Sequence, residues 1–337
     1  IVEYVPGDLT MTVRAGASLA MLDEVASREG QWMGIDPAGS TAGTIGATVA
    51  SASAGPLSHG IGRVRDIVLG IEVVTGNGNV IRSGGKVVKN VAGFDITRLQ
   101  VGAWGTLGII TEVSLRLRAR PEVDETVSVC FDARKPLLAQ LVSLREIPLA
   151  ALAVELIGAT LAQQLGLGET QQVLVRLGGN ETRVRAQRAA LTAIGDVTIV
   201  PAEVWTALRN AETKDAAVAR VSHMPSLLAS SWSHVANEVF SVMHVASVMR
   251  ATVSRGAIRV VIPASPALAN EEAVAALASI VQTIAPPGGH VVWEQLPDAV
   301  WKHVPSAVAD ELSLGLQRAF DPAGRCNPGI LGGTRSQ

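Results

Sequence analysis

The chain has 337 residues, of which 48% are hydrophobic and 17% charged, so it is long enough for two domains with cores and too apolar to be disordered as a whole. A net charge of −2 and an aromatic content of 3% argue against a nucleic-acid surface or an anionic-membrane surface. Cys130 and Cys326 form no CxxC pair, which predicts a reduced cytosolic protein and argues against an iron–sulfur cluster or zinc site held by this chain alone.

The first predicted elements are a strand, a capped helix and a loop. Residues Thr10–Arg14 alternate in polarity as a strand does. Ser18 is placed to cap a helix that continues to Glu29. After a loop, residues 44–50 open a helix of small residues. A glycine-rich loop that runs into a helix start can offer backbone N–H groups to an anion, although a tightly packed small-residue helix gives the same pattern.

A hairpin and a second glycine-rich segment complete the first region. Strands over 67–75 and 79–82 are joined by a Gly-Asn-Gly-Asn turn. Asp95 and Arg98 are three residues apart and are expected to pair on a short helix. A strand over Ile109–Arg118 then ends where Pro121 follows, and we interpret this point as a domain exit.

Beyond Pro121 the glycine content falls, and the pattern predicts strands that alternate with amphipathic helices. We predict an α+β module with an antiparallel sheet and helices on one face. The apolar stretch Val235–Val253 contains Asn237, Glu238, His244 and Arg250, so we interpret it as a buried or partner-facing helix and not as a membrane span. The predicted strands lie at 127–131, 151–157, 171–177, 197–200, 257–262 and 291–294, and the predicted helices at 136–144, 182–194, 271–284 and 307–320.

Glycine is concentrated in two blocks. The first, residues 37–66, reads PAGSTAGTIGATVASASAGPLSHGIGRVRD, and the second, Gly84–Glu112, reads GGKVVKNVAGFDITRLQVGAWGTLGIITE. Glycine is favoured where the backbone needs a positive φ or a very close approach, so the blocks predict either ligand-contacting loops or a set of tight turns. A third motif, FDPAGRCNPG, lies near the end of the chain at 320–329.

These blocks closely resemble the FAD-binding domain of the vanillyl-alcohol-oxidase flavoproteins, which share the PCMH-type FAD-binding fold. The sequences KNVAGFD and GTLG look most like the FAD-binding subunit of bacterial glycolate oxidase. The resemblance implies an FAD-binding PCMH-type domain at 1–120, an α+β cap domain at 121–305 and a C-terminal return to the FAD domain at 306–337. It also implies that a pyrophosphate-binding N-terminal subdomain would precede Tyr4, and we expect that subdomain to be missing from this chain.

The resemblance also assigns candidate cofactor residues. In the first block, the backbone of residues 44–47 would face the flavin diphosphate or ring. Ser53 and Gly55 would continue that wall, and Gly62, Arg65 and Asp66 match the end of the motif. In the second block, five consecutive residues would line the flavin, and Asn327 of the third motif would either reach the flavin ring or hold a turn. The residues so assigned are Thr44, Ile45, Gly46, Ala47, Ser53, Gly55, Gly62, Arg65, Asp66, Thr106, Leu107, Gly108, Ile109, Ile110 and Asn327.

Lys89 is the cation inside the KNVAGFD motif. One interpretation is that it compensates the charge of a reduced flavin or a phosphate. The other interpretation is a surface lysine on a turn. The sequence leaves both open.

No catalytic residue can be assigned from the sequence. The single tyrosine, Tyr4, lies at the start of the chain, and the histidines from His223 onward form no metal-ligand pair such as HxxxH. We therefore expect no metal, and a chain that binds flavin without oxidising the hydroxy acid itself.

The resemblance implies FAD as cofactor and an electron-transferring role in a cytoplasmic glycolate oxidase complex, with a catalytic flavoprotein subunit, an iron–sulfur subunit and a small 2-hydroxy acid as partners. Peripheral attachment to the inner membrane through those subunits is an alternative location. The rival functions are a self-sufficient FAD-dependent 2-hydroxy-acid oxidoreductase and a flavin-free scaffold subunit.

Overall fold

The protein forms two compact units, which we name unit 1 and unit 2. The computed structural model describes residues 1–85, 95–213, 215–264, 270–308 and 310–332. Unit 1 consists of Ile1–Arg120 with Ser306–Gln337, and unit 2 is Pro121–Pro305.

Unit 1 is built on an antiparallel sheet. The strands of its first part are β1 (Glu3–Val5), β2 (Thr10–Arg14), β3 (Gln31–Trp32), β4 (Val68–Val74), β5 (Val80–Gly84), β6 (Ile109–Arg116) and β7 (Arg118–Ala119). Within the described residues, five of these form one sheet in the order β1-β2-β6-β4-β5, and β3 pairs with β7. Val13 and Val113 lie opposite each other in the register of β2 and β6, and both are fully buried in the core of the unit.

The helices of this part are α1 (Leu19–Ser27), α2 (Ile45–Ser51), α3 (Val64–Ile67) and α4 (Ile96–Gln100). The predicted cap of α1 is confirmed, because the Ser18 hydroxyl accepts a hydrogen bond from the amide of Met21 at 3.2 Å. The predicted pair on a short helix is also confirmed: Asp95 caps α4 and forms a 3.2 Å ion pair with Arg98. Helix α2 buries Ile45 in the same core as the sheet.

Unit 2 contains an antiparallel sheet of eight strands among the described residues, in the order β11-β8-β10-β9-β13-β14-β12-β15. The predicted antiparallel α+β module is therefore confirmed. The strands are β8 (Val123–Cys130), β9 (Ala153–Ile157), β10 (Gln172–Gly179), β11 (Asp196–Val200), β12 (Ala217–Ser222), β13 (Val248–Thr252), β14 (Ala257–Ile262) and β15 (His290–Gln295). The helices are α5 (Leu137–Glu146), α6 (Ala159–Gln164), α7 (Glu181–Leu191), α8 (Glu203–Arg209), α9 (Leu228–Met243), α10 (Asn270–Thr283) and α11 (Asp298–Trp301).

Helices cover both faces of this sheet, so the prediction of helices on one face is wrong. Along β9, Val154 and Leu156 pack in the cluster that includes α5, α7, α9 and α10. The alternate residues Ala153 and Ile157 pack in a second cluster with α6 and α8. The sequence prediction missed α6 and α8, and those two helices are the ones that cover the second face.

The prediction of a helix over Val235–Val253 is wrong in its second half. Helix α9 ends at Met243, and the next residue, His244, has a φ of +54°. This left-handed conformation stops the helix. The chain then enters β13, in which all five residues are buried. No helix in the described residues is both long enough and apolar enough to cross a membrane.

A buried ion pair lies in the sheet of unit 2. Glu155 of β9 accepts hydrogen bonds from Arg250 Nη1 and Thr252 Oγ1 of β13, both at 2.8 Å. The side chains of Glu155 and Arg250 are only 1% and 9% exposed. Arg259 of β14 is directly opposite Arg250 in the register and forms ion pairs with Glu212 and with a glutamate of β15. Each buried guanidinium therefore has its own carboxylate.

The last element is α12 (Glu311–Phe320), which begins four residues later than predicted because Asp310 caps it by accepting a hydrogen bond from Ser313 N at 2.9 Å. Gly315 is inside this helix, and a Cβ added there would meet nothing within 4 Å.

We expect Gly315→Ala to raise the free energy of unfolding by roughly 0.5–1 kcal/mol, because alanine loses less backbone entropy than glycine in a helix interior. Thermal unfolding measures the effect. Gly30→Ala is the matched control, since a Cβ there also meets open space but the φ of Gly30 is +62°. That variant should be destabilised by about 1 kcal/mol, and equal behaviour of the two variants would contradict the prediction.

Candidate functional site

Unit 1 contains an open cleft of about 650 Å³. The turn after β2, the start of α2 and the end of β4 contribute to its wall, together with the turn before β6 and residues 325–327 of the loop after α12. Small-molecule sites have volumes of roughly 300–1,000 Å³, so the cleft is large enough for an organic ligand.

Three predicted residues at the start of α2, Thr44, Gly46 and Ala47, line the cleft. The amide of Ala47 donates to the Thr44 hydroxyl at 3.2 Å. The amides of Ile45 and Gly46 donate to carbonyls within residues 15–17, at 2.9 and 2.8 Å. The helix cap and the turn after β2 therefore already use these three amides. That the backbone of residues 44–47 faces the diphosphate or ring of a flavin stays a prediction.

The turn before β6 contributes Trp104, Gly105 and Gly108 to the cleft. All three have positive φ angles, of +55°, +71° and +148°. A Cβ on Gly108 would lie 2.6 Å from Val73 Cγ1 and 2.8 Å from the Val74 carbonyl oxygen, so glycine permits the turn to pack against β4. Among the described residues, the amides of Gly105 and Gly108 have no hydrogen-bond acceptor. Gly108 itself is buried, whereas Gly105 is partly exposed.

The predicted residues Ile109 and Ile110 also line the cleft. Ile109 begins β6 and is 66% exposed, although it is a large apolar side chain. Together with Val74 and Trp104 it gives the cleft an apolar surface that would suit a flat ring system.

The loop after α12 is attached to unit 1 at two points. The amide of Gly76, in the turn after β4, donates to the Phe320 carbonyl at 2.9 Å. Asn327 Nδ2 donates to the Trp104 carbonyl at 2.7 Å. Asn327 thus lines the cleft and also holds the turn that precedes β6.

The buried carboxylate of Asp321 stabilises the conformation of this loop through a hydrogen bond to its backbone. Asp321 Oδ2 accepts a hydrogen bond from the amide of Cys326 at 2.6 Å. Burial alone would raise the pKa of Asp321, but backbone hydrogen bonds from Cys326 and Arg325 and the charge of Arg325 hold it below its usual value. Burial and the nearby Asp321 raise the pKa of the Cys326 thiol. That thiol is therefore protonated at neutral pH, which does not suit a nucleophile.

Three predicted residues lie behind the cleft wall. Ile45 is fully buried in the core of unit 1, and Leu107 and Thr106 are buried as well. The Thr106 hydroxyl donates to the Ala103 carbonyl at 2.7 Å. These side chains support the wall from inside, so they would act on a ligand through the residues beside them.

Ser53 and Gly55 do not line the cleft. Gly55 has a φ of +70°, and a Cβ there would lie 1.9 Å from the Asp36 carbonyl oxygen. The Asp36 carboxylate accepts a hydrogen bond from the amide of Leu57 at 2.9 Å. The glycine at 55 is thus explained by its close contact with another loop.

Gly62, Arg65 and Asp66 form a local structure at the start of α3. Asp66 Oδ2 accepts a hydrogen bond from the amide of Arg63 at 2.8 Å. Arg65 is 3.9 Å from Asp66. None of these residues lines the cleft. Lys89 lies outside the described residues.

Arg325 lines the cleft, but the sequence reasoning gave it no role. The available signal was a cation inside the FDPAGRCNPG motif. Gly16 was also missed; it lines the cleft, and a Cβ there would meet nothing within 4 Å and would project into open space.

Tyr4 and His223, two side chains of types that can act as a catalytic base, contact other side chains of the protein. The Tyr4 hydroxyl donates to Gln31 at 3.1 Å, and Ser231 is 2.9 Å from His223 Nδ1. Within the described ranges, no group of three or more His, Cys, Asp and Glu residues could hold a metal ion.

The donors and surfaces of the cleft fit a flavin dinucleotide. An apolar wall from the start of β6 suits a ring, whereas free amides at Gly105 and Gly108, the Asn327 amide and the Arg325 guanidinium suit polar and anionic groups. Gly16 leaves room for close approach of a ligand to the backbone.

Comparisons with known proteins agree with this fit. Residues 1–84 match the FAD binding domain family. The fold resembles alkyldihydroxyacetonephosphate synthase, with a TM-score of 0.68 and 17% identity over 97% of this chain and 65% of that one. It also resembles p-cresol methylhydroxylase with substrate bound, with a TM-score of 0.68 and 16% identity over 98% of this chain and 78% of that one. The predicted PCMH-type fold and FAD as cofactor are confirmed.

The curated relatives that the chain resembles include two glycolate oxidase subunits. The chain is 43% identical to subunit GlcE of Escherichia coli over 123 residues, which are 36% of this chain and 35% of that protein. It is 39% identical to subunit GlcD of Bacillus subtilis over 152 residues, which are 44% and 32% of the two chains. It is 36% identical to the mitochondrial cytochrome D-lactate dehydrogenase of Arabidopsis thaliana over 36% of this chain and 21% of that protein. The chain thus spans about a third or less of the length of these relatives.

Proposed function

We propose that this chain is the FAD-binding, electron-transferring subunit of a complex that oxidises a 2-hydroxy acid of the glycolate type. The observation that carries the proposal is the cleft of unit 1, which is lined by Thr44, Gly108, Ile109 and Asn327, all assigned to the cofactor from the sequence. Bound FAD would supply a two-electron acceptor. The residues of the cleft would hold and orient that cofactor and keep water from one face of its ring.

The proposed partners are a catalytic flavoprotein subunit and an iron–sulfur subunit. Support comes from the similarity to two proteins that are both named as glycolate oxidase subunits. In this proposal the organic substrate is oxidised elsewhere in the complex, because no tyrosine or histidine among the described residues lines the cleft. The complex would be cytoplasmic or attached to the inner membrane through its partners.

A flavin-free scaffold subunit is the second candidate. The observation that favours it is the engagement of the amides of Ile45, Gly46 and Ala47 inside the protein. An FAD diphosphate would then have to find its donors elsewhere in the cleft.

Two measurements on the purified chain separate these functions: titration with FAD followed by flavin fluorescence, and turnover of glycolate and D-lactate with a dye acceptor. We expect saturable FAD binding and turnover far below about 1 per second, the lower end of ordinary enzyme rates. A missing general base alone removes roughly 10²- to 10⁴-fold in rate. Binding together with fast turnover would instead indicate a self-sufficient oxidoreductase. Absence of FAD binding would indicate the scaffold.

A further inference from the structure

Arg325 is the one charged side chain among the described residues that line the cleft of unit 1. Its side chain is exposed, and it forms no ion pair with another described residue. Its charge helps to lower the pKa of the neighbouring Asp321, whose Oδ2 accepts a hydrogen bond from the amide of Cys326. The guanidinium therefore keeps its donors available to a ligand in the cleft.

The backbone that carries Arg325 is held in place on both sides. Before it, the Phe320 carbonyl accepts from Gly76 at 2.9 Å. After it, Cys326 donates its amide to Asp321 at 2.6 Å and Asn327 donates to the Trp104 carbonyl at 2.7 Å. Because the backbone of the loop is already fixed, less entropy is lost from the loop when Arg325 binds an anion.

A cation in the cleft would pair with the anionic part of a dinucleotide. The FAD diphosphate is anionic, and desolvating an anion without a partner is costly. The amides at the start of α2 already donate to Thr44 and to the turn after β2. The free amides at Gly105 and Gly108 are neutral donors, so Arg325 is the described group of the cleft wall that can bring a positive charge.

We propose that Arg325 binds the diphosphate of FAD, an inference that rests on the proposed FAD-binding function of the cleft. The planar guanidinium can donate two parallel hydrogen bonds to phosphate oxygens, which an amide or an ammonium group cannot reproduce. Charge-assisted hydrogen bonds of this kind are worth about 1.5–3 kcal/mol, which corresponds to a change in Kd of roughly 10- to 100-fold.

The test compares FAD with riboflavin, which has the same ring but no phosphate. In Arg325→Gln, the Kd for FAD should rise by roughly 10- to 100-fold, and the Kd for riboflavin should change by less than about twofold, since no phosphate contact is lost. Arg325→Lys should recover part of the FAD affinity because it keeps the charge. Added salt should weaken FAD binding more in the unmodified chain than in Arg325→Gln.

Arg318→Gln is the matched control, because Arg318 is an exposed arginine of α12 that does not line the cleft. It should bind FAD as the unmodified chain does, and thermal unfolding verifies that all variants are folded. An unchanged FAD Kd in Arg325→Gln, or an equal loss of riboflavin affinity, would overturn the inference while leaving the proposed function intact. If the unmodified chain binds no FAD, the proposed function fails and the inference fails with it.

Discussion

Replacing Arg250 with methionine should lower the free energy of unfolding of unit 2 by about 3–5 kcal/mol at neutral pH, the usual cost of removing one partner of a buried ion pair. Arg250 is 9% exposed and Glu155 is 1% exposed, so water cannot take the place of the lost guanidinium. The hydrogen bond from Thr252 would remain, but it brings no positive charge. Chemical denaturation at several pH values measures the effect.

The loss of unfolding free energy in Arg250→Met should increase as the pH rises. Burial raises the pKa of Glu155 above its ordinary value of 4.5, and Arg250 opposes that shift. Without Arg250 the folded-state pKa should rise further. The destabilisation should therefore be small below about pH 4.5 and should grow as the pH rises through the folded-state pKa, because the unfolded chain ionises more easily than the folded one.

Two further variants test whether the loss of stability comes from the buried charge of Glu155. Arg185→Met removes an exposed partner of Glu181 in α7, where the two side chains are 68% and 75% exposed, and it should cost less than about 0.5 kcal/mol. Adding Glu155→Leu to Arg250→Met should recover most of the lost stability, because an apolar pair can replace a buried ion pair. A loss below about 1 kcal/mol in Arg250→Met at neutral pH would contradict the prediction.

Local signals in the sequence predicted many elements well. Strand β14 was predicted at Ala257–Ile262 and lies at those residues, because an apolar run is bounded by Gly256 and Pro263. Ser18 caps α1 as expected. The failures lie where the pattern is ambiguous, as in β13, a buried strand that follows helix α9 after a short connection. A continuous apolar run does not distinguish a buried helix from a buried strand.

The cleft was only partly predictable, because its critical contacts join distant parts of the chain. The glycines at 105 and 108 are visible locally, and both line the wall. The amides of Ile45 and Gly46, however, donate to carbonyls about thirty residues earlier in the chain. Asn327 reaches the Trp104 carbonyl from the other end of the sequence. A motif gives the residue types but not these partners, and the partners decide which donors remain free.

Gly108 is a glycine that the sequence motif shows, and its packing against β4 is a contact that only the structure shows. We expect its replacement to lower both stability and FAD affinity strongly. Gly108→Ala would place a Cβ 2.6 Å from Val73 Cγ1 and 2.8 Å from the Val74 carbonyl oxygen, at a φ of +148°. Strain at such a backbone position costs about 1–3 kcal/mol, and overpacking adds about 1–3 kcal/mol. We expect the free energy of unfolding to fall by about 2–6 kcal/mol in total.

The same substitution should weaken FAD binding, because the turn must move away from β4 and takes the amides of Gly105 and Gly108 and the side chain of Ile109 with it. We expect the Kd for FAD to rise at least about tenfold, the equivalent of one lost hydrogen bond. Thermal unfolding and flavin fluorescence titration measure the two effects. Gly7→Ala is the control, since a Cβ at Gly7 meets nothing within 4 Å. If Gly108→Ala matched that control in both stability and FAD affinity, the close packing of this turn on β4 would not be what shapes the cleft.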